Sequence, residues 1–493
     1  MALVHGLAVA CEEGSGHQYW VRITVGSAVT FMERHAKRLD ESSTTNHGSA
    51  VAVGGNLAMT AGNDLTVAGS TVVAQNNAVL AAARNLSVTA TQDTYSFHMR
   101  SSKSGGLGKS SSISIDKQST TANAANVGAG GNLTLAAGVT GLGHATVVGS
   151  NLVSAQDLSV LASGNINVAS GQNSSYFAST KSTTGALGLS SSSKASGSSS
   201  VTQVASNLLG QNITLDAGKN VGIAASNFIA RQNLSLTARN GDVSVLDAAN
   251  QSASWSYKKQ TGFGLGGGDT FSSFYGTEGK KQQNAQSTSV GSKLDAGQDI
   301  TVASSRDTSV VGSSLSAGNN IIINAGRDAN ILGGTNTSSS SKEKFSSGFG
   351  VEGILGLDQT SFFLGYQQTG KGEDRDKTTN TASQIAAKNN ITVNAGQNVN
   401  MSGSKLVANQ DLNMAAGKDI NILQATETES VSNYEKRLRA GLSLTLSQTV
   451  TTTAKNAYAA GKQAVSNAEE ANVIGAGQQA YEAYNTAQAI TDP

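Results

Sequence analysis

A cassette of roughly forty residues returns five times along this chain, each time built on Asn or Asp followed by an aliphatic residue. In the fifth copy the pairs are Asn390-Ile391, Asn398-Val399, Asp411-Leu412 and Asp419-Ile420, so the aliphatics follow a short step, a longer one and the short one again. Nearly the same intervals separate Ile213, Val221, Leu234 and Val243, then Ile300, Thr308, Ile321 and Ala329, and also Leu57, Leu65, Ala78 and Leu86. The copy that starts at Leu133 needs a short insertion around Gly141 to Gly143 before Leu158 and Ile166 fall into step. Self-similarity at a fixed period marks a stacked repeat, and it narrows the choice of fold more than any other feature here.

The unit inside the cassette is half its length, running from 300 to 321 or from 391 to 412. That is too short for a helical pair but suits one coil of a β-solenoid. Ile391-Thr-Val393 and Leu412-Asn-Met414 alternate as a strand with one buried face does. The AG-x-N, AG-x-D and GSN phrases read as corners, in which Gly supplies positive φ and Asn or Asp tolerates the left-handed region while bonding its own backbone. Ten coils at roughly 4.8 Å each predict a rod on the order of 50 Å long with a thin aliphatic core. A single Pro in 493 residues and only 5% Phe, Trp and Tyr fit that core, because Pro cannot donate to a ladder with neighbours on both sides.

Charged residues make up 14% of the chain and the formal net charge is +1. Such a balance carries no whole-chain footprint for nucleic acid or an anionic membrane, so no nucleic acid is expected as a partner. The lone Cys11 excludes an intramolecular disulfide and a cysteine-based zinc cluster. No run of eighteen apolar residues occurs, so the chain is expected to have no membrane span of its own. Residues 1–47 hold four of the six His, one of the two Trp and the only Cys. Their opening, MALVHGLAVACEEGSG, has an apolar run of signal length without a basic n-region or a small-residue cleavage site. They are read as an atypical N-terminal segment, either a separate small unit or a stretch not native to the solenoid.

Between cassettes, at about 91–129, 169–209, 248–293 and 333–387, the polar-aliphatic pairs vanish. Each insertion opens with extended, aromatic-bearing sequence, such as Tyr95-Ser-Phe97, Tyr176-Phe177 or Trp255-Ser-Tyr257. It then passes through a Gly-rich middle, which holds Leu107, Leu187 and Leu265 in the first three, into a second extended run. Two extended runs joined by a Gly turn predict lateral β-hairpins. The exposed aromatic alternation favours a sheet that covers the solenoid over a free contact surface.

Phrases such as AGNDLTVAGS, AGQDITVASS, AGRDANILGG and VNAGQNVNMSGSKLVANQDLNMAAGKDINI resemble the hemagglutinin repeats of filamentous-hemagglutinin-like and contact-dependent growth inhibition exoproteins, over about residues 48–425. The resemblance implies a bacterial protein built as a right-handed parallel β-helix and exported by two-partner secretion through an outer-membrane transporter. It also implies a secreted or cell-surface location and contact with a target-cell surface receptor or host glycan. In the growth-inhibition members a toxin follows at the C-terminal end. Against a complete member this chain lacks the N-terminal secretion domain and a recognisable toxin, so it is expected to be a fragment.

After Ala425, Leu442, Leu444 and Leu446 alternate as a last strand, and the Ala-rich stretch 453–490 reads as a short helical cap or connector. Few chemical motifs stand out. Gly262-Phe-Gly264-Leu-Gly266-Gly267 satisfies GxGxxG but sits at a hairpin tip, without the strand and helix a dinucleotide site needs. Asn85, Asn132, Asn212, Asn233 and Asn390 form sequons only because a corner Asn precedes a β-prone strand. Glu373 to Lys377 alternates in sign and reads as a solvated loop rather than a calcium loop. Asp64, Asp157, Asp299, Asp411 and Asp419 fall at corners with no recurring base beside them, unlike the facing carboxylates of glycoside hydrolysis.

The reading is therefore all-β, a right-handed parallel β-solenoid over 48–425 with lateral hairpins, flanked by the atypical 1–47 and by a terminal strand and helical segment over 426–493. It names no catalytic, cofactor-binding or metal residue and no cofactor. The expected function is a non-enzymatic stalk or adhesin segment, with a toxin-bearing effector remnant and a carbohydrate-active β-helix as the alternatives.

Overall fold

A computed structural model describes residues 20–26, 29–268, 270–355 and 360–446. In them the repeated unit is one coil of three short strands, as in Asn207–Gly210, Ile213–Ala217 and Val221–Ala224. Ten coils stack into three parallel sheets of ten strands each, the three faces of a parallel β-solenoid. Ile213 lies beside Leu234 and Ile300 beside Ile321, in each case one unit further along the chain. Leu234 and Ile300 keep the same register across a long insertion. Nine intervals of roughly 4.8 Å give a stack on the order of 45 Å long.

Alternation along each strand sends every second side chain inwards. Leu133, Leu158, Ile213, Leu234, Ile300, Ile321 and Ile391 form one buried column, and Leu135, Val160, Leu215, Leu236, Val302, Ile323 and Val393 a second. All belong to one continuous aliphatic cluster, in which Phe228 is the only aromatic. Burying each such side chain contributes roughly 1.5–3 kcal/mol, so the core is a sum of many equal, local terms. The last described coil has no further coil stacked on it among the described residues: Ile420 and Ile422 are 46% and 65% exposed.

The corners differ from the sequence-based expectation. Among the described residues no Asn or Asp has positive φ, and of the glycines at the AG corner only Gly138, beside the short insertion at Gly141 to Gly143, does. Positive φ otherwise falls at other sites, notably Gly69, Gly149, Gly312 and Gly403, with Ala225 in the equivalent place of the fifth coil. There the chain passes directly from one coil to the next. The AG glycines have another reason to lack a Cβ: at Gly218, Gly326, Gly396 and Gly417 it would lie 2.1–2.2 Å from a carbonyl oxygen of the preceding coil. Close approach of stacked backbones, not turn conformation, selects glycine at that corner.

The corner Asn and Asp bond between coils rather than to their own backbone. Asn132 N–H donates to Asn77 Oδ1 (2.8 Å), Asn233 N–H to Asn212 Oδ1 (3.1 Å), Asn320 N–H to Asp299 Oδ1 (2.9 Å) and Asp411 N–H to Asn390 Oδ1 (3.0 Å). A second ladder runs from Asp64 through Asn85 to Asp419. In it His144 stands where other coils carry Asn or Asp, accepting from Asn165 N–H at 3.0 Å. A third ladder of buried serines, Ser150, Ser206, Ser226, Ser292, Ser313 and Ser383, closes the remaining corner.

The insertions form hairpins that join into one antiparallel sheet of eleven strands. These are β1 (Trp20–Gly26), β2 (Val29–Thr44), β3 (Thr91–Ser104), β4 (Ser110–Asn123), β5 (Gly171–Thr184), β6 (Ser191–Val204), β7 (Ala248–Phe263), β8 (Phe271–Val290), β9 (Gly334–Leu355), β10 (Thr360–Thr381) and β11 (Thr428–Leu446). A hairpin leaves after every second coil. Two coils rise about 9.6 Å, the width of two strands, so successive hairpins meet at sheet spacing and pair without a gap. The sheet does not cover the solenoid, as the exposed aromatics had suggested. Its strands pair edge to edge with one another, and outward coil side chains such as Val73, Val79, Val153 and Ile229 stay exposed.

The atypical N-terminal stretch joins this sheet: β2 pairs with β3, and Asn46 N–H donates to Asp93 Oδ1 at 2.7 Å. β11 is the expected last strand, paired with β10. The expected helical segment over 453–490 lies outside the described residues.

Candidate contact surface

The first two inserted hairpins, β3–β4 and β5–β6, reverse through tight turns at Gly106–Gly108 and Ala186–Gly188, where Leu107 and Leu187 adopt φ of 57° and 55°. Their apolar side chains end up exposed, 53% and 71%. The hairpins then lengthen along the stack, from 14 residues in β3 to 22 in β9 and β10. The GxGxxG phrase spans the end of β7 and the turn into β8. Gly264 and Gly266 have positive φ there, and a Cβ on Gly266 would meet Ser347 O at 2.1 Å. Its glycines serve the turn and a close strand crossing, which leaves no phosphate cradle before a helix.

Lengthening gives the far end of the sheet a small core of its own. Val351 and Phe362 are buried there, with Phe274 and Leu364 against them, and Phe271 is buried beside Glu352 on the other face. Phe271 and Phe363 ring centroids lie 6.2 Å apart, and Phe274 and Phe349 also 6.2 Å. Beside this cluster Glu352 is buried, with the Arg439 guanidinium on its carboxylate and Arg437 at 4.0 Å. Arg439 also lies 4.7 Å over the Phe363 ring, and the Thr270 hydroxyl donates to Glu352. One carboxylate clamped by two guanidiniums has no partner for general acid–base exchange; it fastens β11 to β9 across β10.

The sequence-singled carboxylates are also engaged structurally. Asp157, Asp299 and Asp411 belong to one inter-coil ladder and Asp64 and Asp419 to the other, each ladder holding one corner residue per coil at a separate corner rather than a facing pair. The Arg84 side chain, with the Asn85 N–H, holds the Asp64 carboxyl well below the usual carboxylate range. At Asp307 burial pushes upward but is outweighed by hydrogen bonds from Arg327 and the Asp328 N–H, so its carboxyl too is lowered. The sequon residues Asn85, Asn132, Asn212, Asn233 and Asn390 all bond to the corner group of a neighbouring coil. Glu373 to Lys377 is not a loop: it lies within β10, and Arg375 pairs with Glu373 and Glu429, both at 3.6 Å. Among the described residues no group of three or more His, Cys, Asp or Glu could hold a metal ion.

The buried tip residues and the guanidinium clamp were not legible in the sequence, because hairpin register alone brings residues 271, 352, 362 and 439 together. What the arrangement offers is a continuous eleven-stranded fin with two broad faces and a consolidated tip, carried along the coil stack.

Comparison with known proteins agrees with this architecture. The chain is 24% identical over 415 residues to the 16S rRNA endonuclease CdiA of Enterobacter cloacae, covering 80% of this chain and 11% of that one. It is 26% identical over 445 residues to the tRNA nuclease CdiA of Yersinia mollaretii, 83% of this chain and 14% of that one. A tRNA nuclease CdiA of Burkholderia pseudomallei matches at 26% over 198 residues, 40% of this chain and 15% of that one. The chain thus spans about a seventh or less of the length of these relatives. No solved structure matches it. The hemagglutinin repeat family model matches residues 32–118, 105–190, 187–277, 273–410 and 364–486, nearly the whole chain. With five matching stretches over a ten-coil parallel solenoid, the chain belongs to the hemagglutinin-repeat family.

Proposed function

We propose that this chain is a non-enzymatic stalk segment of a secreted or cell-surface bacterial exoprotein. In this reading the solenoid supplies length and stiffness, and the projecting sheet supplies surface for contact with a target cell. The observation that carries the reading is the commitment of the recurrent polar groups to structure. Corner Asn, Asp and Ser residues form inter-coil ladders, and the buried Glu352 carboxylate of the fin is held in a clamp. The nuclease activities in the relatives' names are attributed to parts of those chains outside this repeat region, because the match takes in 11% and 14% of their length. Delivery of such a toxin on contact, export by two-partner secretion and an outer-membrane transporter as export partner follow as parts of the same proposal. No helix among the described residues is long and apolar enough to cross a membrane. We assign 48–425 as the repeat unit with its hairpins, and 426–493 as a terminal strand with its connector.

The test places this segment in a contact-dependent inhibitor in place of its own repeats, beside a version whose hairpins are cut back to short turns. Both are expected on the cell surface, and only the intact segment is expected to inhibit target cells. Equal inhibition by both, or cleavage of polysaccharide or nucleic acid by the purified chain, would overturn the proposal.

A further inference from the structure

The antiparallel register of the fin aligns six lysines that are widely scattered along the sequence. Lys181 on β5 is opposite Lys194 on β6, which is opposite Lys258 on β7, then Lys280 on β8, Lys344 on β9 and Lys371 on β10. Residues directly opposite in a sheet point to the same face, so the six ammonium groups form one row. Five strand intervals of roughly 4.8 Å make the row about 24 Å long. All six side chains are exposed. Lys371 is closed off by Glu435 at 3.2 Å, while Lys181, Lys194, Lys258, Lys280 and Lys344 have no ion pair among the described residues. The neighbouring pair Lys281–Glu343, 3.3 Å apart, sits one residue along and therefore on the opposite face.

A shallow groove of about 560 Å³ follows the row. It is lined on the same face, one strand repeat away from the lysines, by the uncharged hydrogen-bonding groups of Ser179, Ser196, Ser256 and Gln282 and, last in that row, by Lys342. Like charges set directly opposite one another oppose sheet pairing. Solubility alone would be served equally by staggered or sign-alternating charge, which is what β10 and β11 carry around Glu373 to Lys377. A straight row in which five of six ammonium groups have no ion pair among the described residues concentrates positive potential along a line.

We propose that this row binds a linear anionic polysaccharide, its acidic groups spread along the lysines and its hydroxyls meeting the flanking Ser and Gln. The inference rests on the fin acting as a contact surface. It concerns the purified chain and a defined glycan, so its failure is separable from failure of the stalk reading in cells.

The experiment titrates the full chain with alginate oligomers, a carboxylated linear polysaccharide, and with neutral dextran, single-stranded DNA and anionic phosphatidylglycerol vesicles. Alginate is expected to bind in preference to all three, more weakly as salt rises, with affinity growing until the oligomer spans the row. The triple variant Lys194→Ser, Lys258→Ser, Lys280→Ser is expected to lose at least tenfold in affinity. Lys293→Ser, Lys388→Ser, Lys405→Ser on the solenoid is expected to lose nothing, and Lys→Arg at the three fin positions to retain binding. Absence of alginate binding, equal loss in the solenoid control, or tighter binding of DNA or vesicles than of alginate would overturn the proposal.

Discussion

Gly62 and Gly326 occupy the same corner of the coil, each following the closing Ala of a five-residue strand. Gly326 has a coil before it: a Cβ there would lie 2.1 Å from Ser305 O and 2.6 Å from Ser305 C, both backbone atoms. Gly62 belongs to the first coil and has nothing within 4 Å of its Cβ position. Neither has positive φ. On conformational entropy alone, Gly→Ala at either site would stabilise by about 0.4–1 kcal/mol through the unfolded chain. At Gly326 the collision must separate two backbones already bonded by Gly326 N–H to Ser304 O at 2.9 Å, and overpacking of this kind costs about 1–3 kcal/mol. The two variants should therefore differ in sign: Gly62→Ala slightly more stable than the parent, Gly326→Ala less. Urea unfolding, together with amide exchange at residues 304–306 and 325–328, reads the difference locally, as a stack of coils requires. Equal stabilisation by both would refute the close-approach argument and return these glycines to turn propensity.

Asp299 Oδ1 accepts from the Asn319 amide (2.8 Å) and from the Asn320 N–H (2.9 Å), so Asp299→Ala is expected to cost about 1–3 kcal/mol, with lost exchange protection at Asn320; unchanged protection would argue against the ladder. The carboxyls of Asp64 and Asp307 are lowered in the folded chain. Their stabilisation is therefore full above the unfolded value of about 3.9 and lost as pH falls through the lower folded value. The melting temperature should drop below about pH 4, and Arg327→Ala should blunt that drop; identical acid profiles would contradict the assignment. Arg439→Ala leaves the buried Glu352 with only the Thr270 hydroxyl and Arg437 at 4.0 Å, a loss of about 3 kcal/mol expected to expose amides 271–278 and 345–352 to exchange while the coils keep their protection. Loss of protection throughout the coils would mean that fin and solenoid unfold together.

The solenoid was legible because its signal is local and repeated: Ile391-Thr-Val393 alternates within one strand, and the same alternation recurs at every coil. The strands of the hairpins were legible for the same reason, from Tyr95-Ser-Phe97 and its counterparts. What depends on the neighbouring coil was not. The reason for Gly326 lies in Ser305, and the partner of Asn320 lies in Asp299, so reading either corner alone suggested turn conformation instead. Ser292 is fully buried with its hydroxyl donating to Leu246 O at 2.8 Å, a partner 46 residues away that no local pattern names. The lysine row and the Glu352 clamp were hidden further, since hairpin register decides which distant residues become neighbours.

The stacking itself is tested most directly by pulsed electron-spin distances between labels at the same register, with the single native Cys11 replaced by Ser. Asn413 in the tenth coil is labelled together with Ser159 in the fourth or with Val79 in the second. Six and eight intervals of roughly 4.8 Å predict backbone separations of about 29 and 38 Å. The distance should grow with the number of coils and ignore the residues inserted between them. A separation that follows chain length, or one that does not lengthen between the two pairs, would contradict a single continuous solenoid.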